Sequence, residues 1–294
     1  MIKRIGLFLL VNLLVMITVS AIINFVLPYF GIRFDTGSIM GLTLFCGLFG
    51  MGGAFISLSI SRWMAKRAYD IKIIDQSVTD HEAREIYNMV ARLSQQAGLP
   101  ATPEVGIYEA DDPNAFATGP SKKKSLVAFS TGLLNSMNRQ EVEAVAAHEV
   151  SHIANGDMVT MTLLTGVANT LVMVLARLTA FAIDNLLRDD DGKGGLGFIG
   201  YMVVVFALDT FFMMLASIPL AAFSRWREFR ADAGAAKLTS PMAMAQALKA
   251  LGKAMDVPTQ KDSFAIAKIS SERRVSLWST HPSLESRIAR LQSM

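Results

Sequence analysis

Long apolar runs alternate with stretches of mixed polarity along this chain, and the runs come in two pairs. Residues 5–30 and 39–60 carry no charged side chain. Each is long enough to cross a bilayer as a helix, which takes roughly 20 residues. The first run starts like a signal peptide, with Lys3 and Arg4 before it, but it is too long and lacks a small-residue cleavage site. It reads as a retained anchor. The second contains Gly41, Gly47, Gly50, Gly52 and Gly53, which permit close helix contact. The other pair, residues 158–187 and 196–223, is less pure. Asn169 and Arg177 interrupt one run, Asp209 and Pro219 the other. An ionisable group at membrane depth is costly, so Arg177 and Asp209 are expected to pair across a hairpin.

The stretches between the runs change period. Residues 82–97 read as an amphipathic helix stopped by Gly98-Leu99-Pro100. Short strands are expected at 104–108, 114–118 and 126–129, with a turn at Asp111-Asp112-Pro113. A short helix over 130–136 and a longer one over 139–155 follow. The longer one starts near Asn138 or Arg139 and stops at Gly156. The expected organisation is a membrane hairpin (1–61), a soluble part (62–157), a second membrane or membrane-associated hairpin (158–223) and a second soluble part (224–294). The fold class is α+β: a mainly helical integral membrane protein whose soluble parts build a zincin-like domain with a small sheet.

Composition supports the membrane reading. The chain has 294 residues, of which 52% are hydrophobic, and a mean hydropathy of +0.38. These values exceed those usual for a soluble domain. A net charge of +3, without a Lys/Arg run interleaved with aromatics, gives no footprint for nucleic acid. Cys46 is the single cysteine, so no disulfide forms within the chain. Lys3 and Arg4 precede the first run, and Arg62, Lys66, Arg67 and Lys72 follow the second. Arg225, Arg227 and Arg230 follow the fourth, whereas the loop between the third and fourth is acidic. The positive-inside rule then puts both termini and the soluble parts in the cytoplasm.

The strongest chemical signal is His148-Glu149-Val150-Ser151-His152. Two His four apart on a helix share one face and can hold one metal ion, and the intervening Glu can reach a water beside it. Such an arrangement serves metal-assisted peptide hydrolysis; the bland alternative is a solvated helix face. Catalytic zinc takes three protein ligands. No third His follows His152 closely, which excludes the metzincin subtype. His81 and His281 are the remaining histidines, so a carboxylate from another helix is the natural choice. Glu228 is the candidate, with Asp232 one turn further on the same face. Asp232 is placed to take the other ring N–H of His148. Equally open at this point is a surface network of Glu228 and Asp232 with Arg225, Arg227 or Arg230.

These residues carry a family resemblance. His148-Glu-x-x-His152 followed by Glu228-x-x-Ala231-Asp232, with two apolar runs between them, resembles the HtpX heat-shock membrane zinc metalloproteases, bacterial relatives of the CAAX prenyl proteases. Asn114-Ala-Phe-Ala-Thr-Gly119, the Asn155-Gly156-Asp157 tail and Thr280-His281-Pro282 with Arg287 resemble further family segments. The resemblance covers essentially the whole chain. It is weakest over 188–195 and 255–275.

What the resemblance implies is a zinc endopeptidase, one Zn2+ per chain, in the bacterial inner membrane. It would act on misfolded or unfolded membrane proteins under stress and cleave copies of itself. It favours Glu228 as the third ligand beside His148 and His152, with Glu149 as general base. It also implies His281 and Arg287 as donors to the oxyanion. Their plain alternative is local structure: a helix cap at Thr280-His281-Pro282, and an Arg287 that bridges to Glu285 or Asp232. Asn114, Ala115, Phe116 and Ala117 would form an edge strand that binds an extended substrate through its main chain. The alternative there is a half-buried strand with Phe116 in the core. Two rival functions are weaker. A chamber for lipidated peptides needs more spans than this chain offers. A structural metal site would favour Cys ligands and lack Glu149.

Overall fold

The protein is described by a computed structural model covering residues 27–29, 38–188, 194–256 and 277–294. Most of the first apolar run and the 257–276 stretch lie outside the described residues. The chain divides into two compact units, one of residues 1–57 and 161–220, the other of 58–160 and 221–294.

The described residues of the first unit are mainly helical. They comprise a single turn at Leu27–Tyr29 and parts of α1 (Ile39–Tyr69), α5 (Asp157–Leu186) and α6 (Gly197–Leu238). These three helices are long and apolar enough to cross a membrane. Many of their apolar side chains face outward: Leu171 is 57% exposed, Phe181 56% and Phe206 74%. That distribution suits a lipid surround, where a helix needs no polar outer face. Gly50 lets α1 and α5 approach closely; a Cβ there would stand 2.4 Å from Thr170 Oγ1. Arg177 Nη1 lies 3.7 Å from Asp209 Oδ1, so the two ionisable groups of the second hairpin do face each other. Asp184 accepts from Arg188 Nη2 at 2.6 Å and from Leu196 N at 2.7 Å, which closes the connection between α5 and α6.

The second unit holds a four-stranded sheet. β1 (Lys72–Ile74) pairs antiparallel with β2 (Glu104–Tyr108), β2 parallel with β4 (Lys124–Ser130), and β4 antiparallel with β3 (Ala115–Ser121). In the order β1-β2-β4-β3, β3 is an edge strand. The helices are α2 (His81–Gln96), α3 (Thr131–Ser136), α4 (Arg139–Asn155), α7 (Pro241–Asp256) and α8 (Leu284–Gln292), with the last part of α6. α4 packs on α2, α7, β3 and β4. It is therefore a central helix: Ala144, Val150 and Ile153 are fully buried, and so is Phe129 of β4 beneath it.

The local signals at both ends of α4 are formed. Asn138 caps its start, and its own N–H donates reciprocally to Glu141 Oε2 at 2.8 Å. Gly156 ends it in the left-handed region at φ +72°. Two features go beyond the sequence expectations. β1 and α7 were unmarked by the hydrophobic pattern, and the fourth apolar run and the Glu228 stretch form one continuous helix, α6, passing through Pro219.

Candidate active site

His148 and His152 stand one turn apart on α4, with their Nε2 atoms 3.1 Å apart. Glu228 enters from α6. Its Oε2 is 3.5 Å from His148 Nε2, and its Oε1 is 3.4 Å from His152 Nε2. Small residues permit this approach. Ala231 and Ala235 are fully buried, and a Cβ on Gly234 would stand 2.6 Å from Ser151 Oγ of α4. His148 and His152 are each 7% exposed and Glu228 2%, so neither a solvated helix face nor a surface network describes them.

The three ligand atoms fit a metal ion. They lie within 4.8 Å of one another. A tetrahedral site with bonds near 2.0–2.1 Å has ligand–ligand edges of about 3.3 Å, close to the 3.1 Å between the two Nε2 atoms and to the 3.5 and 3.4 Å from each to its nearer Glu228 oxygen. Glu228 Oε1 is also buried without a hydrogen-bond donor. Such an atom is costly unless a cation meets it.

A carboxylate stands behind each histidine. His148 Nδ1 is 3.0 Å from Asp232 Oδ1, and His152 Nδ1 is 2.7 Å from Asp157 Oδ2. These contacts place the ring proton on Nδ1 and leave Nε2 free to bind a metal. Asp232 is in turn gripped by Arg287, whose Nε donates to Oδ2 at 2.8 Å and whose Nη2 donates to Oδ1 at 2.6 Å.

Charge states follow from these contacts. Burial alone would raise the Glu228 carboxyl, but His148, His152 and His281 outweigh it and hold the group far below the usual carboxylate range. For Asp232, burial again acts upward, and the bonds from Arg287 and His148 bring the net shift downward. Burial would discharge Arg287, yet Asp232 keeps it charged. Burial would also lower His152; its contacts with Asp157 and Glu228 prevail and push it up to about 9. A proton and a metal at His152 Nε2 exclude each other, so metal uptake is coupled to proton loss.

The pattern of peptidase family M48 matches residues 80–294. Protease HtpX of Shewanella putrefaciens is 48% identical over 295 residues, covering 99% of both chains. Protease HtpX of Aeromonas hydrophila is 47% identical over 293 residues, again covering 99% of both. The chain belongs to the HtpX proteases of peptidase family M48. With three helices among the described residues long and apolar enough to cross a membrane, it is an integral membrane metalloprotease. The crystal structure of S. mikatae Ste24p shares the fold at a TM-score of 0.57 and 18% identity; the match covers 97% of this chain and 66% of that one.

Around the His/Glu cluster this HtpX-family protease opens a cavity of about 860 Å³, lined by Asn114, Ala115, Glu149 and His281 among others. Glu149 is 9% exposed and follows His148 directly, so it borders both the cluster and the cavity. His281 is largely exposed, with Nδ1 3.2 Å from Glu228 Oε2. Arg287 also borders the cavity, but two of its three nitrogens are engaged by Asp232. Its Nη1 is 3.6 Å from Glu228 Oε2.

β3 carries Ala115, Phe116 and Ala117. Ala115 and Ala117 pack toward the main core beneath α4. The Phe116 side chain is placed differently from those of Ala115 and Ala117. Side chains alternate across a strand, and Phe116 points to the other face of the sheet. There it packs with Tyr69 and Tyr108 at ring separations of 5.4 and 5.8 Å. Asn114 is tied to β4: its N–H donates to Ser130 Oγ and its carbonyl accepts from Ser130 N, both at 2.9 Å. By the antiparallel alternation from that pair, Ala115 and Ala117 direct their main-chain groups to the outer edge.

Asp157 is the site residue the sequence analysis missed. Its signal was an Asp placed directly after the glycine that ends the HExxH helix. The left-handed turn at Gly156 swings the chain so that Asp157, fully buried, returns to His152.

Proposed function

We propose that this protease is a zinc endopeptidase that cuts misfolded or unfolded membrane proteins at the cytoplasmic face of the bacterial inner membrane. The observation that carries the reading is the buried cluster of His148, His152 and Glu228 with Glu149 beside it on one cavity. Two imidazoles and one carboxylate suit zinc. Residues 62–157 and 224–294 together make the catalytic domain, and the apolar pairs in 1–61 and 158–223 make the membrane part. The basic residues flanking the apolar runs support a cytoplasmic orientation.

A zinc ion held by His148, His152 and Glu228 supplies a Lewis acid for the scissile carbonyl and the attacking water. Glu149 takes the proton of that water and hands it to the leaving amine. Asp232 and Asp157 keep the His148 and His152 rings in register by accepting their Nδ1 protons. His281, exposed on the cavity wall, donates to the oxygen that gains charge. Arg287 has the better claim to a positioning role, because its fork is engaged by Asp232. Ala115 and Ala117 offer main-chain groups to an extended substrate, a mode that reads no particular sequence and so suits unfolded segments. The same tolerance allows cleavage of a second copy of the chain.

The apolar stretch of α5 begins within a few residues of His152, and that of α6 ends shortly before Glu228. Cleavage is therefore expected close to the membrane. A set of single-span reporters with an unfolded tail, whose one cleavable segment is moved stepwise away from the span, measures this. The rate is expected to fall with distance. A rate independent of distance overturns the membrane-proximal reading.

A further inference from the structure

The two metal-facing histidines are backed in the same way. Behind His148 stands Asp232, and behind Asp232 stands Arg287. Behind His152 stands Asp157, and Arg230 Nη2 reaches Asp157 Oδ1 at 2.5 Å. We infer that Arg230 is a positioning residue for the metal site, acting through Asp157 to hold His152.

The geometry supports a dedicated contact. Asp157 uses one oxygen for each partner, Oδ2 for His152 and Oδ1 for Arg230. It is fully buried, so its charge needs both contacts. Arg230 Nη2 also lies 3.4 Å from the carbonyl of Asn155, at the last turn of the helix that carries both histidines. Its guanidinium is held from the other side by Trp226, whose ring centre is 4.9 Å away. A planar fork held between an aromatic face and a carboxylate is a role that Lys fills poorly.

One helix therefore sets both relays and the ligand between them. Glu228, Arg230 and Asp232 all lie on α6, and the small residues Ala231 and Gly234 bring that helix against α4. The relays differ in accessibility. Arg287 is buried, whereas the Arg230 side chain is 38% exposed and Trp226 is 51% exposed. The Arg230 relay is thus the one open to the surroundings of the unit. It is also the one that can be altered without emptying the core.

The inference rests on the reading of His148, His152 and Glu228 as metal ligands. The test measures zinc affinity of the purified full-length protein in detergent, by competition with a chelator. It compares wild type, Arg230→Gln, Arg230→Lys and His152→Ala. Arg230→Gln is expected to weaken zinc binding by about tenfold or more, with KM unchanged at saturating zinc. Arg230→Lys is expected to recover part of the loss. Unchanged zinc affinity in Arg230→Gln, or a lowered melting temperature with affinity intact, overturns the positioning role. Zinc binding by His152→Ala equal to wild type overturns the ligand reading, and the relay with it.

Discussion

Glu149→Gln lowers kcat by about 10²- to 10⁴-fold, the range that a general acid–base group contributes, while the protein keeps its metal. Gln has the size of Glu and still fills the position beside His148, but it cannot take a proton from the attacking water. Glu149 is not among the three clustered ligand atoms, so metal content stays at the wild-type level. KM changes little, because the main-chain contacts proposed for an extended substrate at the edge of β3 are untouched. Turnover of an unfolded reporter over a range of concentrations up to saturation, with bound metal measured on the same sample, checks all three statements. A Glu149→Gln protein that holds metal and cuts at the wild-type rate removes Glu149 from the chemistry.

Arg287→Met destabilises the protein by about 3–5 kcal/mol, the cost of leaving one partner of a buried ion pair unpaired. Arg287 and Asp232 are buried, and their paired bonds of 2.8 and 2.6 Å lie away from solvent. Removing the guanidinium strands the Asp232 carboxylate. Zinc affinity falls as well, because Asp232 then holds His148 less firmly. The double variant Arg287→Met/Asp232→Leu separates the two effects. Stability largely returns, since no buried charge is left alone. Zinc affinity stays low, since His148 Nδ1 has lost its acceptor. Chemical denaturation and chelator competition read the two quantities. If Arg287→Met retains both stability and zinc affinity and loses only turnover, the guanidinium serves the oxyanion directly.

The parts of the site legible in the sequence are those set by local rules. Asn138 and Gly156 bracket α4 because capping depends on residues within one turn of the helix end. His148 and His152 share a face by helix period alone. Glu228 and Asp232 were visible as a carboxylate pair one turn apart, but their assignment to the site rather than to nearby arginines needed the family resemblance. What the sequence hid depends on tertiary geometry. Asp157 reaches His152 only because the chain reverses at Gly156. Arg230 read as one of several basic residues after a membrane segment, and nothing local separates it from Arg225 or Arg227. Phe116 shows the limit of reading a strand without its register. The segment and its edge position were recognisable, but the face each side chain takes was fixed by pairing with β4. β1 has three residues, too few for a period to show.

The most direct measurement is a calorimetric zinc titration of metal-stripped protein in detergent, with cleavage of an unfolded reporter followed in the same samples. Wild type and Glu228→Ala are compared between pH 6 and pH 8. The expected result is one zinc per chain, cleavage that rises with occupancy, and loss of both in Glu228→Ala. Binding should release protons and tighten as pH rises. Burial acts to discharge His152, but Asp157 and Glu228 outweigh it and push it up to about 9, so zinc is expected to displace a proton there. Full cleavage by stripped protein, or equal zinc binding by Glu228→Ala, contradicts a metal centre built from His148, His152 and Glu228.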